Sequence, residues 1–350
     1  MTDAAVREAE PGSPSPGDAD ATAEPRSGSP AGTTRVRGTT AQHVRVAVLG
    51  AVSWVACRLP QTVADRVGDL AGELWYRAAP ARSAQARRNL RRVAGDLAAT
   101  GRGPERAWAA AADSRALERL VRRAFRHDAR YYVEVLRVPS LTPAVFAERV
   151  IVERPEIVEE AFAGGPAIFA SPHFGPIELP ALYLADRSGK TFVAPMETVD
   201  DPPLQAWFER TRGSLGVRIV GLRAARRALQ AELRAGGYVG IVADRDVAGG
   251  GIEVPFFGAP APFPIGPALL AIETGARLYA VSVRRLPDGR VTGGLRRIEI
   301  AADGSRRERI QSTLAGLAAA FETAIAEAPE QWSGAFFPIW PDLADEPAAP

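Results

Sequence analysis

His173 and Glu178 are the first residues of this chain equipped for chemistry. They follow an apolar run, Ala167–Ala170, with the length and content of a short buried strand, which Ser171-Pro172 stops. Gly175-Pro176 marks a turn, and Glu178 heads a predicted helix. A histidine at a strand-to-helix turn stands where α/β enzymes present reactive groups, at the carboxyl edge of the sheet. His-x4-Glu is the smallest unit that supplies a general base and a carboxylate to tune or orient it. Spacing alone is weak evidence, because three His and 41 acidic residues produce such pairs by chance. On one continuous helix, residues five apart point about 140° apart. Pro172, Gly175 and Pro176 argue against such a helix, so His173 belongs to the turn. Glu178 then meets either His173 or a different cation.

Other candidates follow. Arg212 lies near the end of a predicted helix, Leu204–Leu215, as a fixed cation able to fork onto a carboxylate or phosphate. We pair it with Glu178; the competing reading is a plain surface arginine. The stretch from Ala243 to Gly258 is the most distinctive in the chain. Asp244, Arg245 and Asp246 follow a strand, Gly249-Gly250-Gly251 turns, and Glu253 enters a strand leading to Phe256-Phe257-Gly258. Its acidic spacing does not fit a calcium loop, and no Lys-Ser/Thr follows the glycines. Pro264, Gly266 and Pro267 suit the start of a helix, and Gly275 suits its C-cap. His127 falls within an amphipathic helix, 113–137, and is read as a packing or surface residue.

These residues need elements to hold them. From Val150 onward, strands alternate with helices of about 10–15 residues. That pattern predicts an α/β fold with a mixed or mainly parallel central sheet flanked by helices, behind an N-terminal helical region. The chain divides into a tail at 1–34, a helical membrane-proximal region at 35–140, a core at 141–342 that functions as one with it, and a tail at 343–350. Residues 1–34, rich in Ala, Gly, Pro and Ser, have the composition of a disordered segment. A net charge of +2 over 350 residues gives no global field for nucleic acid. A single cysteine, Cys57, excludes an internal disulfide, and three scattered His argue against a zinc centre. No apolar stretch reaches the ~18–20 residues needed to span a bilayer. Val46–Cys57, bounded by Arg45 and Arg58, is read by its length as a buried helix. The alternative is an interfacial helix with Trp54 at headgroup level. Arg82, Arg87, Arg88, Arg91 and Arg92 crowd one helix without interleaved acids, either as a solvated face or as a contact for anionic headgroups or a carrier's phosphate.

The box from His173 to Glu178 resembles the His-x4-Asp/Glu box of glycerolipid and glycolipid acyltransferases. The chain is similar to the bacterial lipid A lauroyl/myristoyl and phosphatidylinositol mannoside acyltransferase family, nearest the mannoside branch. Glu197–Gly216 with its Arg212, then 243–258, then 260–276 fall in the family's order. Pro329-Glu330-Gln331-Trp332 matches its C-terminal Pro-Glu-x-Trp signature, and Arg87-Arg88-Asn89-Leu90 its upstream segment. The resemblance implies that His173 is a general base and that Glu253 or Glu178 is the carboxylate holding it, with Asp244 and Asp246 as nearby competitors. It implies substrate contacts from Arg212, Asp244, Arg245 and Gly266. It also implies O-acyl transfer without a covalent acyl-enzyme, in keeping with the lack of a Gly-x-Ser-x-Gly elbow. No cofactor or metal is expected. The co-substrate would be acyl-CoA or acyl carrier protein, and the acceptor a glycolipid, with a lipid A-type acceptor as runner-up. Membrane lipids would be partners and the protein peripheral, on the cytoplasmic face of the cell membrane. A catalytically silent lipid-binding protein on the same fold is the rival. Such a relative would be expected to lose His173 or its acidic partners, and this chain keeps them.

Overall fold

The computed structural model describes residues 37–344; the tail expected at 1–34 and nearly all of the tail expected at 343–350 lie outside them. The α/β pattern folds as expected, into seven strands. They are β1 (Val150–Glu153), β2 (Ala167–Ser171), β3 (Phe192–Met196), β4 (Val217–Gly221), β5 (Tyr238–Val242), β8 (Arg277–Arg285) and β9 (Val291–Ile298), in the order β1-β9-β8-β2-β5-β3-β4. All neighbours are parallel except β8 and β9, which are joined by the turn at Pro287-Asp288-Gly289. β2 lies at the centre, and Ala167, Ile168 and Ala170 are wholly buried, as an uninterrupted apolar strand covered on both faces must be.

β6 (Ile252–Phe256) and β7 (Ala259–Phe263) form a separate hairpin. Sequence reading found the first strand and missed the second, whose Pro260 and Pro262 count against a strand. The register explains their presence. A two-residue turn makes Phe256 and Ala259 a hydrogen-bonded pair, so the alternation leaves Pro255, Pro260 and Pro262 at positions that donate nothing to the partner strand. Phe257 and Gly258 both have positive φ, 46° and 74°, as a type I′ turn requires.

The N-terminal helices are α1 (Thr40–Ala56), α2 (Gln61–Ala78), α3 (Pro80–Thr100), α4 (Glu105–Ala112) and α5 (Ser114–Arg137). Asp113 caps α5 by accepting from the backbone of Arg115 and Ala116 at 2.9 and 3.1 Å. The main core draws on both regions: Leu90, Leu97, Leu117 and Phe125 from these helices join Ile168, Val239, Phe256 and Trp332.

α2 is packed through its small residues. Its buried stripe is Ala64, Gly68 and Gly72. A Cβ at Gly68 or Gly72 would collide with the α5 backbone at Arg130 or Arg126, so glycine lets the two helices touch. Asp69 then forks with Arg130 at 2.6 and 2.7 Å. Val63, Val67, Leu70 and Leu74 of α2 are left facing outward, while Trp75 and Tyr76 pack against the core. α1 behaves likewise. Only Ser53 and Ala56 are buried, while Val44, Val48, Val52, Val55 and Trp54 are exposed, so the expectation of a buried helix at 46–57 is corrected.

The arginine row of α3 is mostly committed to the protein itself. Arg87 forks onto Glu118, Arg92 pairs with Asp342 at 2.5 Å, and Arg88 donates to the Leu343 carbonyl and Gln85. Beside them Asn89 donates to the carbonyls of Ala335 and Phe337 at 2.9 and 2.7 Å, which anchors the C-terminal segment.

Candidate active site

Two adjacent parallel strands build the site. β2 and β5 pair in register to their ends, Ser171 opposite Val242, and the Ala243 N–H continues the ladder to the Ser171 carbonyl at 2.9 Å. His173 and Asp244 each lie two residues beyond their strand, so register alone brings them to one place. His173 Nδ1 meets Asp244 Oδ1 at 2.6 Å, and the His173 backbone N–H donates to Oδ2 at 3.0 Å. Trp332 Nε1–H donates to the same Oδ2 at 2.8 Å.

Asp244 is 1 % exposed. Burial pushes its carboxyl upward, but the facing charge of His173 and the hydrogen bonds from His173 and Trp332 outweigh it, so it titrates below the ordinary value. An ionised Asp244 fixes the proton on Nδ1 and leaves the Nε2 lone pair available. The His173 side chain is 29 % exposed, enough for a substrate to reach that nitrogen.

The C-terminal signature completes the enclosure. Phe174 bridges to Trp332, Ser333 N–H donates to the His173 carbonyl at 2.8 Å, and Gly175 N–H donates to Gln331 O at 3.0 Å. Gln331 clips the end of β8 by exchanging two hydrogen bonds with the Arg285 backbone, both 2.8 Å. Glu330 binds Arg106 at 2.9 Å. Gly175 is required twice over: its φ is 65°, and a Cβ would overlap the Val283 carbonyl oxygen.

Glu178 starts α8 (Glu178–Ser188) and is buried. It accepts from Tyr131 of α5 at 3.1 Å and from Arg212 of α9 (Pro202–Gly213) at 3.3 Å. The pairing with Arg212 is the expected one, and among the described residues neither contacts His173. Burial raises the Glu178 carboxyl, against the pull of Arg212 and Tyr131. Arg212 also donates to Met196 Sδ at 2.8 Å and lies over the Phe208 ring.

The carboxylate holding His173 is therefore Asp244, not Glu253 or Glu178. Glu253 is exposed on β6, away from the sheet edge, and the contact it makes is through its backbone carbonyl to Gln311. Gly266 begins α11 (Gly266–Thr274), and a Cβ there would meet nothing within 4 Å, so close approach does not demand glycine.

Two groups on α5 escaped the sequence reading. Asp128 is buried, within electrostatic reach of Arg82, Arg285 and His173. Burial pushes its carboxyl up to about 6. Tyr132 lies beside it, half exposed. An acid spaced helically among arginines gives no signal in sequence that it points inward. His127 fits its reading as a packing residue: its Nδ1 is buried without a hydrogen bond, and burial with Arg285, Arg130, Arg106 and Arg123 nearby lowers it to about 3.

A histidine held by a buried carboxylate, with one nitrogen open to solvent, can take a proton from an alcohol and return it to a leaving group. Comparison with known proteins supplies the family. Residues 36–334 match the bacterial lipid A biosynthesis acyltransferase family. A phosphatidylinositol mannoside acyltransferase of Mycobacterium tuberculosis is 36% identical over 156 residues, 43% of this chain and 49% of that protein. The protein of the same description from Mycolicibacterium smegmatis is 31% identical over 233 residues, 65% of this chain and 74% of the relative. The match to the Mycobacterium tuberculosis protein thus spans about half of its length. From its match across residues 36–334, the chain belongs to the bacterial lipid A biosynthesis acyltransferase family.

Proposed function

We propose that the protein moves a fatty acyl chain from a thioester, acyl-CoA or acyl carrier protein, to a hydroxyl of a glycolipid, with a phosphatidylinositol mannoside as acceptor. The observation that carries this reading is the Nδ1–Asp244 contact of 2.6 Å. In the proposed reaction Nε2 of His173 accepts the hydroxyl proton as the oxygen attacks the thioester carbonyl. The carbon–sulfur bond then breaks, and the imidazolium returns its proton to the departing thiolate. Products are an ester and a free thiol, with no acyl-enzyme. Asp244 holds the tautomer and stabilises the imidazolium. The acceptor assignment rests on the mannoside acyltransferases among the relatives.

The reaction is proposed to take place at an anionic membrane surface. The outward stripes Val44, Val48, Val52, Val55 on α1 and Val63, Val67, Leu70, Leu74 on α2 support this reading. Arg58 stacks on Trp54 at 3.5 Å, and Arg66 and Arg77 are exposed on α2, so cations accompany the apolar stripe as anionic headgroups require. No described helix is long and apolar enough to cross a membrane.

The test is thiol release from palmitoyl-CoA, with and without phosphatidylinositol mannoside, for the wild type and His173→Ala. Acceptor-stimulated release that the variant loses is expected. Release indifferent to the acceptor would overturn the acceptor assignment, and no release from any acyl thioester would overturn the reaction.

A further inference from the structure

Two arginines beside the site have cationic heads that no acid among the described residues pairs with directly: Asp128 acts on Arg82, and Asp244 and Glu197 on Arg245, only at longer range. Arg82, in the first turn of α3, and Arg245, next to Asp244, both place their guanidinium over the Phe337 ring, at 5.3 and 3.4 Å from its centre. Arg82 also lies 5.7 Å from the Trp75 ring. Among the described residues neither side chain makes an ion pair or hydrogen bond, unlike Arg87 and Arg92 on the same α3. Asp244 and Glu197 attract Arg245 at longer range, but the oxygens of Asp244 are occupied by His173 and Trp332. Burial holds the Arg245 guanidinium below its ordinary pKa, and the like charge of Arg82 adds to that.

Two half-buried cations gathered on one aromatic ring repel each other and have lost part of their hydration. Evenly spread surface arginines bear no such cost. An anion between them would offset it, and guanidinium forks suit phosphate oxygens. On the Arg82 side there is open space: Arg82 lines a cavity of about 470 Å³ with Gln85, Phe336 and Pro338, within the range of small-ligand sites, whereas Arg245 lies outside its lining. Tyr132, exposed beside Asp128, is within electrostatic reach of both arginines.

We propose that Arg82 and Arg245 form a phosphate clamp at the entrance to the His173 site. The proposal rests on the acyl-transfer reading only for the identity of the ligand. The phosphate belongs either to the thioester donor's carrier group or to the inositol phosphodiester of the acceptor.

The test is equilibrium binding by calorimetry, which needs no turnover, on the full chain with two soluble phosphate probes, coenzyme A and glycerophosphoinositol, and pantetheine as a phosphate-free control. Proteins are the wild type, Arg82→Gln, Arg245→Gln, the double variant, and Arg119→Gln as a surface control. Melting curves establish that each is folded. Loss of one charge-assisted fork is expected to weaken binding about tenfold per arginine, with the control unchanged. Weakening for coenzyme A but not for pantetheine, which lacks phosphate, assigns the clamp to the donor. Weakening for glycerophosphoinositol alone assigns it to the acceptor. Equal binding by the wild type and the folded double variant, or no binding of either probe by the wild type, overturns the clamp. Intact binding without acyl transfer would leave the clamp standing and overturn the reaction instead.

Discussion

Trp332 donates its indole N–H to Asp244 Oδ2 at 2.8 Å, and that oxygen also receives the backbone N–H of His173 at 3.0 Å. The tryptophan thus fixes the carboxylate while Oδ1 turns to the imidazole. Asp244→Asn is expected to lower kcat by about 10²–10⁴ while KM changes little, because the amide no longer holds the Nδ1 proton. Trp332→Phe, which keeps the apolar packing but removes the donor, should cost about 1 kcal/mol of stability and a smaller share of kcat. Steady-state kinetics and thermal melts on the two variants check both outcomes.

Gly175→Ala tests the seating of the histidine turn against β8. A methyl group would meet the Val283 carbonyl in a residue already at positive φ. The strained φ alone costs about 1–2 kcal/mol, and the overlap adds to it. A fall in the thermal midpoint is expected, together with lost turnover. A wild-type midpoint would disprove the close approach.

Asp128 predicts a pH dependence. Its folded value, about 6, stands above the ordinary 3.8, so ionising it costs more in the folded than in the unfolded chain. The stability associated with its neutral form is complete below about pH 4 and is lost as pH rises through about 6. Asp128→Asn keeps the shape without the charge. It should match the wild type near pH 4 and exceed it at pH 8 by about 3 kcal/mol at most. Melting curves at the two pH values measure the difference. A variant less stable at pH 8 than the wild type would contradict the prediction.

The outward face of α1 and α2 predicts that Leu70→Glu with Leu74→Glu abolishes flotation with phosphatidylinositol-containing vesicles. Both positions are exposed, at 63 % and 58 %, so stability should hardly change. Undiminished flotation would place the membrane contact elsewhere.

Sequence carried the architecture well, because strand and helix periods are local. It found the histidine turn for the same reason: proline and glycine around His173 leave few conformations. It could not choose between Glu253, Asp244 and Glu178, since that choice depends on which strands are neighbours. The answer came from the register of β2 on β5, which brings together residues 71 positions apart. The outward stripes of α1 and α2 were illegible for a different reason. A short apolar segment reads as core, and only the fit of Ala64, Gly68 and Gly72 against α5 shows which side of α2 is inside. β7 was hidden by prolines that the hairpin tolerates at its non-bonded positions.

The lock between Trp332 and Asp244 also sets an order of events during synthesis. The ribosome delivers β2 and β5 well before the indole, which follows Asp244 by 88 residues. Until then the nascent sheet carries a carboxylate awaiting its second donor and a histidine turn open to water. A chain stopped between Ile298 and Trp332 would contain every strand of the sheet but lack the indole that fixes Asp244. The setting of the proposed acid–base pair thus waits on a residue made long after the strands that carry it.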